Sequence, residues 1–323
     1  ITVDDLWALA RIGGISLAPD GALAVCCVSS HSMQDNKGLS NLWLLSTFGG
    51  APRRLTSCGD KDGQAAWSPR GDAIAFIAKR EQQGKKDDTP QLYTIAPDGG
   101  EARRISDFAP GIEAFKWFPD GKRIAFVAWV WPELRGTTAQ AKQYKAFKDR
   151  KESAYVTSET QYRYWDHALP MGRVAHLHVL DVESGRIRDL FEGSSYELPR
   201  AEPDANTFDI SPDGKAIAFT YDPKPEKRLD HFLAIAELTL RAGTIEKLAL
   251  DKAWDFSAPR YSPTGDSVAF IASHQGKKIT MPNQLALIER GSRWRVLSHN
   301  WDRAVNAPLR WSDDASMLFF TAE

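Results

Sequence analysis

Five stretches of this chain read almost alike: Leu17-Ala18-Pro19-Asp20-Gly21, Trp67-Ser68-Pro69-Arg70-Gly71, Trp117-Phe118-Pro119-Asp120-Gly121, Ile210-Ser211-Pro212-Asp213-Gly214 and Tyr261-Ser262-Pro263-Thr264-Gly265. A sixth, Trp311-Ser312-Asp313-Asp314-Ala315, keeps the length and loses the proline and the glycine. Pro19, Pro69 and Pro119 fall 50 residues apart, and Pro212 and Pro263 fall 51 apart. Only the 93 residues from Pro119 to Pro212 break the beat. A period of about 50 residues built from short strands marks a β-propeller with one blade per repeat.

The phrase is a turn. Proline presets φ near −65° for the second turn position, Asp or Ser bonds its own backbone, and Gly accepts a positive φ. Behind the turns come uninterrupted apolar runs: Ile74-Ala75-Phe76-Ile77, Ile124-Ala125-Phe126-Val127, Ile217-Ala218-Phe219 and Val268-Ala269-Phe270-Ile271. Such runs read as strands buried on both faces, the condition of a strand between neighbouring blades. A second set follows at Leu42-Leu45, Leu92-Ile95, Leu177-Leu180, Leu233-Ile235 and Leu285-Ile288, each leading through a polar turn to an outer strand such as Arg53-Thr56 or Arg103-Ser106. Four antiparallel strands per repeat make a propeller blade. The aromatic ahead of the turns (Trp67, Trp117, Tyr261, Trp311) reads as packing between blades.

The surplus in the third repeat is an insertion over about residues 131–170, and the remainder amounts to about five and a half blades. The expected fold is therefore all-β: a β-propeller over 13–323 behind an N-terminal helix over 1–12. A ring left open at that count exposes strand edges and an unpaired face, so the chain is expected to be a piece of a longer polypeptide. Its first residue, Ile1 rather than Met, is compatible with a removed leader, and the compartment is undecided.

Composition places limits on function. A net charge of −1 over 323 residues gives no electrostatic basis for nucleic acid or a membrane surface. No apolar run approaches the ~20 residues of a membrane span. Cys26 and Cys27 fall in a core strand and Cys58 stands alone, which argues against a disulfide framework or a zinc site. His176 and His178 share a strand face with His167 nearby, yet other blades carry Asn41/Trp43 and Gln91/Tyr93 at the same places. The two histidines therefore read as ordinary blade positions, and no metal or other cofactor is implied. The turns lack the alternating carboxylates of a calcium loop.

Two segments depart from the repeat. Thr2 and Asp5 ahead of Leu6, Trp7 and Leu9 form a capping box that opens a short helix, lying either on the propeller or against something outside it. In the insertion, Thr137 to Lys151 is basic with high helix propensity, and Tyr144, Phe147 and Tyr155 fall to one side. The run Tyr155 to His167 is dense in aromatics. Long insertions into regular scaffolds often line binding sites; the alternative is a solvated helix with an aromatic plug over blade edges.

Hydrolytic machinery is not evident. The nearest strings to a Gly-x-Ser-x-Gly elbow, Gly14-Ile15-Ser16-Leu17-Ala18 and Gly193-Ser194-Ser195-Tyr196-Glu197, lack the second glycine and the strand-turn-helix setting. On its own residues the chain reads as a scaffold and binding module.

The combination of Thr2-Val3-Asp4-Asp5-Leu6-Trp7, the Ser-Pro-Asp-Gly blades, and the insertion ending Tyr162-Arg163-Tyr164-Trp165-Asp166-His167 with Met171-Gly172-Arg173 resembles the N-terminal propeller of bacterial prolyl oligopeptidase family serine peptidases. The acylaminoacyl-peptidase and dipeptidyl-aminopeptidase branch is the nearest, and the resemblance covers essentially the whole chain. It implies a propeller, often of seven or eight blades, followed by an α/β-hydrolase domain with a Ser-Asp-His triad that this chain does not contain. It further implies that the propeller limits access to short peptides. In the dipeptidyl branch it implies acidic residues on an insertion that bind the substrate's free amine, with the carboxylate-to-nucleophile distance counting residues. Glu152, Glu159 and Asp166 are the carboxylates available, and Tyr164 and Trp165 the aromatics beside them. Peptide substrate and a hydrolase domain of the same polypeptide are the expected partners; an oligomer is left open. The alternative function is a non-enzymatic protein-binding propeller resembling the Tol translocation protein, which carries an α/β domain ahead of its ring.

Overall fold

Each repeated phrase closes a tight turn between two antiparallel strands. The amide of its fifth residue donates to the carbonyl three residues earlier: Gly21 to Ala18 at 2.9 Å, Gly71 to Ser68 at 2.9 Å, Gly121 to Phe118 at 3.0 Å, Gly214 to Ser211 at 2.8 Å and Gly265 to Ser262 at 2.9 Å. All five glycines lie in the left-handed region, with φ from 63° to 76°, where a side chain is disfavoured. Ala315 makes the same bond at 2.9 Å with φ 59°. The decayed phrase therefore folds as its siblings do.

This computed structural model describes residues 1–57, 61–82, 84–158, 161–170, 172–224, 232–277 and 280–322. The chain divides into two units. One holds Ile1–Ala128, Gly136–Ala146 and Val179–Arg188; the other holds Trp129–Arg135, Phe147–His178 and Asp189–Glu323.

In the first unit, the strands Arg11–Leu17, Leu23–Ser32, Lys37–Ser46 and Arg53–Arg54 form one antiparallel sheet in chain order. A second holds Gly63–Trp67, Ile74–Ala78, Gln91–Ala96 and Gly99–Arg104, also in chain order. Ala114–Trp117 then pairs with the strand Arg123–Val130, of which the residues through Ala128 belong to this unit, with Phe115 opposite Phe126. The second unit contains the sheets Phe208–Ile210, Ala216–Tyr221, Ala234–Thr239, Thr244–Ala249 and Trp254–Tyr261, Ser267–His274, Gln284–Glu289, Arg295–Val296. Val305–Trp311 pairs with Leu318–Ala322. The strands after the insertion, Val174–Asp181 and Ile187–Asp189, are divided between the units. Four-stranded antiparallel meanders repeated in this order are the blades of a β-propeller.

The runs behind the turns are buried throughout Ile74–Ala78 and Ala216–Tyr221. They meet across neighbouring sheets. Val25, Cys27, Leu42 and Leu44 of the first blade pack on Ala65, Trp67, Phe76 and Tyr93 of the second. In the other unit Ala218 and Ile235 pack on Phe256, Tyr261 and Phe270. Full burial of a phenylalanine such as Phe76 or Phe270 contributes roughly 1.5–3 kcal/mol, so the faces between blades hold the fold together. Cys26 and Cys27 are buried and free, and burial pushes both thiols above their ordinary pKa. Cys58 lies outside the described residues.

The N-terminal helix, α1, spans Val3–Ala8, and a strand starts at Arg11. Its capping box is complete: Asp5 N–H donates to Thr2 Oγ1 at 3.1 Å and Thr2 N–H to Asp5 Oδ2 at 2.7 Å. Trp7 packs edge-on against His31 of the first blade with ring centroids 5.7 Å apart.

Candidate functional site

The insertion leaves the strand Arg123–Val130 at Trp131 and returns at Val174. Its helix, α2, runs over Gly136–Asp149. The sequence placed Tyr155 on a helical face, but the helix stops six residues short of it. After Phe147 the chain reads Lys-Asp-Arg-Lys-Glu with no apolar residue to keep a helical face covered. Arg150 turns out in an extended conformation, and its guanidinium lies 3.9 Å from the Phe147 ring centre. The lysines of the helix are exposed, as a solvated face requires.

Beyond the helix the insertion folds into a two-stranded hairpin, Arg163–Tyr164 against His167–Ala168, closed by Leu169 N–H to Tyr162 O at 3.0 Å. Trp165 and Asp166 occupy its turn. Trp165 sits at φ 48°, a left-handed conformation costly for a bulky residue, and is 80% exposed. Tyr164 stands edge-on between Trp165 and His167, with ring centroids at 6.5 and 5.9 Å. Asp166 reaches His167 Nδ1 at 3.3 Å with its carboxylate almost wholly in solvent. Arg163, Tyr164, Trp165, Asp166, His167 and Glu202 line one cleft. Glu202 comes from the connection leading to the strand Phe208–Ile210 and also has a positive φ of 48°.

The structure thus brings together three of the residues singled out from sequence, Tyr164, Trp165 and Asp166, and adds Glu202. Glu152 is exposed just past the helix and is not among the cleft residues. Glu159 lies outside the described residues. Glu202 was missed because it stands some 35 residues from the hairpin in a Pro-rich connection with no motif of its own. No sequence signal foretold that the two would share a cleft.

His176 and His178 stand where other blades carry a repeated hydrogen-bonded device, which the third blade replaces. In the first, second and fifth blades a hydroxyl two residues past the outer strand accepts from an amide of the third strand: Leu42 N–H to Thr56 Oγ1 at 2.9 Å, Leu92 N–H to Ser106 Oγ at 2.9 Å and Leu285 N–H to Ser298 Oγ at 2.8 Å. Ser106 donates onward to Gln91 Oε1 at 2.7 Å and Ser298 to Gln284 Oε1 at 3.0 Å. In the third blade His176 takes the glutamine's place, Leu190 N–H to Leu177 O puts Phe191 at the serine's, and His176 turns instead to Asp189, two residues earlier, with Nδ1 and Oδ2 2.8 Å apart. His178, fully buried, has its Nε2 3.7 Å from the same carboxylate. Burial drives the His178 pKa from the ordinary 6.5 down to about 4 against the pull of Asp189. Burial alone would raise Asp189, but the His176 bond and both imidazoles hold its carboxyl below the ordinary value.

In the two elbow-like strings, Ser16 Oγ accepts from Trp67 N–H at 3.1 Å, and Ser194 Oγ, one residue before the elbow position Ser195, donates to Phe191 O at 2.8 Å. No helix among the described residues is long and apolar enough to cross a membrane.

No protein-family profile matches the chain. Dipeptidyl-peptidase 5 of Porphyromonas endodontalis is 30% identical over 278 residues, 82% of this chain and 37% of that protein. The uncharacterized peptidase YuxL of Bacillus subtilis is 29% identical over 226 residues, 68% of this chain and 31% of that protein. The chain thus spans about a third of the length of these relatives. Acylaminoacyl peptidase of Pyrococcus horikoshii superposes with a TM-score of 0.67 at 14% identity, over 98% of this chain and 44% of that one. Acylaminoacyl peptidase shares the fold, and the sequence relative shows the family: the chain is a β-propeller of the prolyl oligopeptidase family, related to dipeptidyl-peptidase 5.

Proposed function

We propose that this propeller gates and orients short peptides for a serine peptidase whose catalytic groups lie on an α/β-hydrolase domain of the same polypeptide. The observation that carries the reading is the hairpin turn. Trp165 and Asp166 are held out in solvent beside Glu202, with Trp165 and Glu202 in left-handed backbone, and strain of this kind persists where the surroundings over-determine it and clusters at binding sites. Two carboxylates with flanking aromatic faces suit an ammonium group, which gains charge-assisted hydrogen bonds and cation–π contact together. The insertion faces the hydrolase domain in this reading. The peptidase relatives favour it over a Tol-type binding propeller.

The chain by itself is inactive in this proposal, and residues 1–323 take no label from a fluorophosphonate probe. In the polypeptide that carries both domains, Asp166→Asn and Glu202→Gln raise KM for free-amine peptides by roughly ten- to a hundredfold and leave acylated peptides unaffected. Glu152→Gln and Glu159→Gln complete the panel. Equal losses on both peptide types across the panel, or labelling of a serine in this chain, would count against the proposal.

A further inference from the structure

The insertion is pinned at its root by stacked cations and rings. Trp131, the first residue past the strand Arg123–Val130, and Phe147, in the last turn of α2, meet edge to face with centroids 5.7 Å apart. The Arg173 guanidinium lies 5.3 Å from the Trp131 ring centre and 5.1 Å from that of Phe147. Arg150 takes the other contact on Phe147 at 3.9 Å. Trp131 is 5% exposed, so the cation sits against a largely desolvated ring, where the attraction is strongest. A second pin is steric: a Cβ on Gly193 would stand 2.9 Å from an Arg135 guanidinium nitrogen, so the arginine at the start of α2 lies directly on that glycine.

The path from this stack to the hairpin is short. Arg173 N–H donates to Pro170 O at 2.9 Å, Leu169 is 6% exposed, and Leu169 N–H closes the hairpin on Tyr162. Only four residues therefore lie between Ala168, the last residue of the hairpin strand, and Arg173, with a turn and a buried anchor among them. We infer that Arg173 is a positioning residue: without touching substrate, its cation over the Trp131 and Phe147 rings fixes where the Trp165–Asp166 turn stands. The functional half of this inference rests on the proposed peptide-amine site.

The test uses the 1–323 chain and two independent readouts. In Arg173→Met, hydrogen exchange at Leu169 and through the hairpin becomes about tenfold faster, while blade amides and the thermal midpoint hold. Arg173→Lys keeps a cation and restores most of the protection. Affinity for a free-amine tripeptide, read by calorimetry, falls about tenfold in Arg173→Met and recovers in Arg173→Lys. Unchanged exchange in Arg173→Met overturns the inference whatever the peptide does. Faster exchange in a protein that binds acylated and free peptides alike supports the positioning role and removes the amine site. If Arg173→Met unfolds globally, Phe147→Leu decides, since it deletes one ring facing Arg173 and keeps the apolar bulk: a hairpin no faster to exchange there also overturns the inference.

Discussion

Trp311 donates its indole N–H to the carbonyl of Arg260 at 3.2 Å, and Trp117 donates to Ala66 with the same atoms at the same distance. In both pairs the partners are 51 residues apart, one repeat, and the acceptor immediately precedes the aromatic of the previous blade, Tyr261 or Trp67. At these two turns the indole is thus a fastener between blades; at Trp67 and Tyr261 the backbone amide makes a link to the preceding blade instead, Trp67 N–H to Ser16 Oγ at 3.1 Å and Tyr261 N–H to Asp209 Oδ2 at 3.0 Å.

Removing the indole donor while keeping a ring isolates that bond. Trp117→Phe is expected to cost about 1–2 kcal/mol, the loss of one hydrogen bond plus some packing. Urea unfolding should show a lower midpoint at unchanged slope. A midpoint equal to wild type would mean the indole bond contributes nothing.

The sixth turn offers a stabilising change. Ala315 carries the φ that glycine carries in the other five, so Ala315→Gly relieves left-handed strain and is expected to gain about 0.5–1 kcal/mol. The reverse change, Gly265→Ala, should cost more, because its Cβ would also stand 3.3 Å from Pro212 Cδ of the preceding turn. Opposite signs for the two variants in thermal melts are the expected result.

His178 sets an acid limit. Its folded pKa is depressed to about 4 from 6.5, so its contribution is fully present above pH 6.5 and is lost as pH falls toward 4, where the unfolded chain has already taken the proton. The loss is on the order of 3 kcal/mol over that window. Asp189, also depressed, acts in the same direction at lower pH. His178→Phe, an aromatic such as Tyr93 or Trp43 at the matching blade position, should flatten stability between pH 7 and 4.5. The same acid slope in that variant would show that another group titrates.

Trp165 separates stability from binding. Replacing it with glycine removes the left-handed strain, so Trp165→Gly is expected to match wild type or exceed it by up to about 1 kcal/mol. Affinity for free-amine peptides should fall in the same protein. A variant that loses stability and keeps affinity would mark the tryptophan as structural.

The sequence by itself determined the blade. Turn chemistry, buried runs such as Ile74-Ala75-Phe76-Ile77 and a 50-residue period are local signals, because a propeller repeats one short-range solution and each repeat restates it. The capping box of Thr2 and Asp5 and the helix in the insertion were legible for the same reason, and the aromatic run that holds Tyr164, Trp165 and Asp166 stood out as a departure from the repeat. Only the tertiary structure decided what meets across distance: Glu202 in the cleft of Asp166, Arg173 over Trp131 and Phe147, and Asp189 beside His176. Those contacts lie between segments with no shared period. Their geometry follows from how loops of different length leave the blades, which side-chain spacing along the chain does not encode.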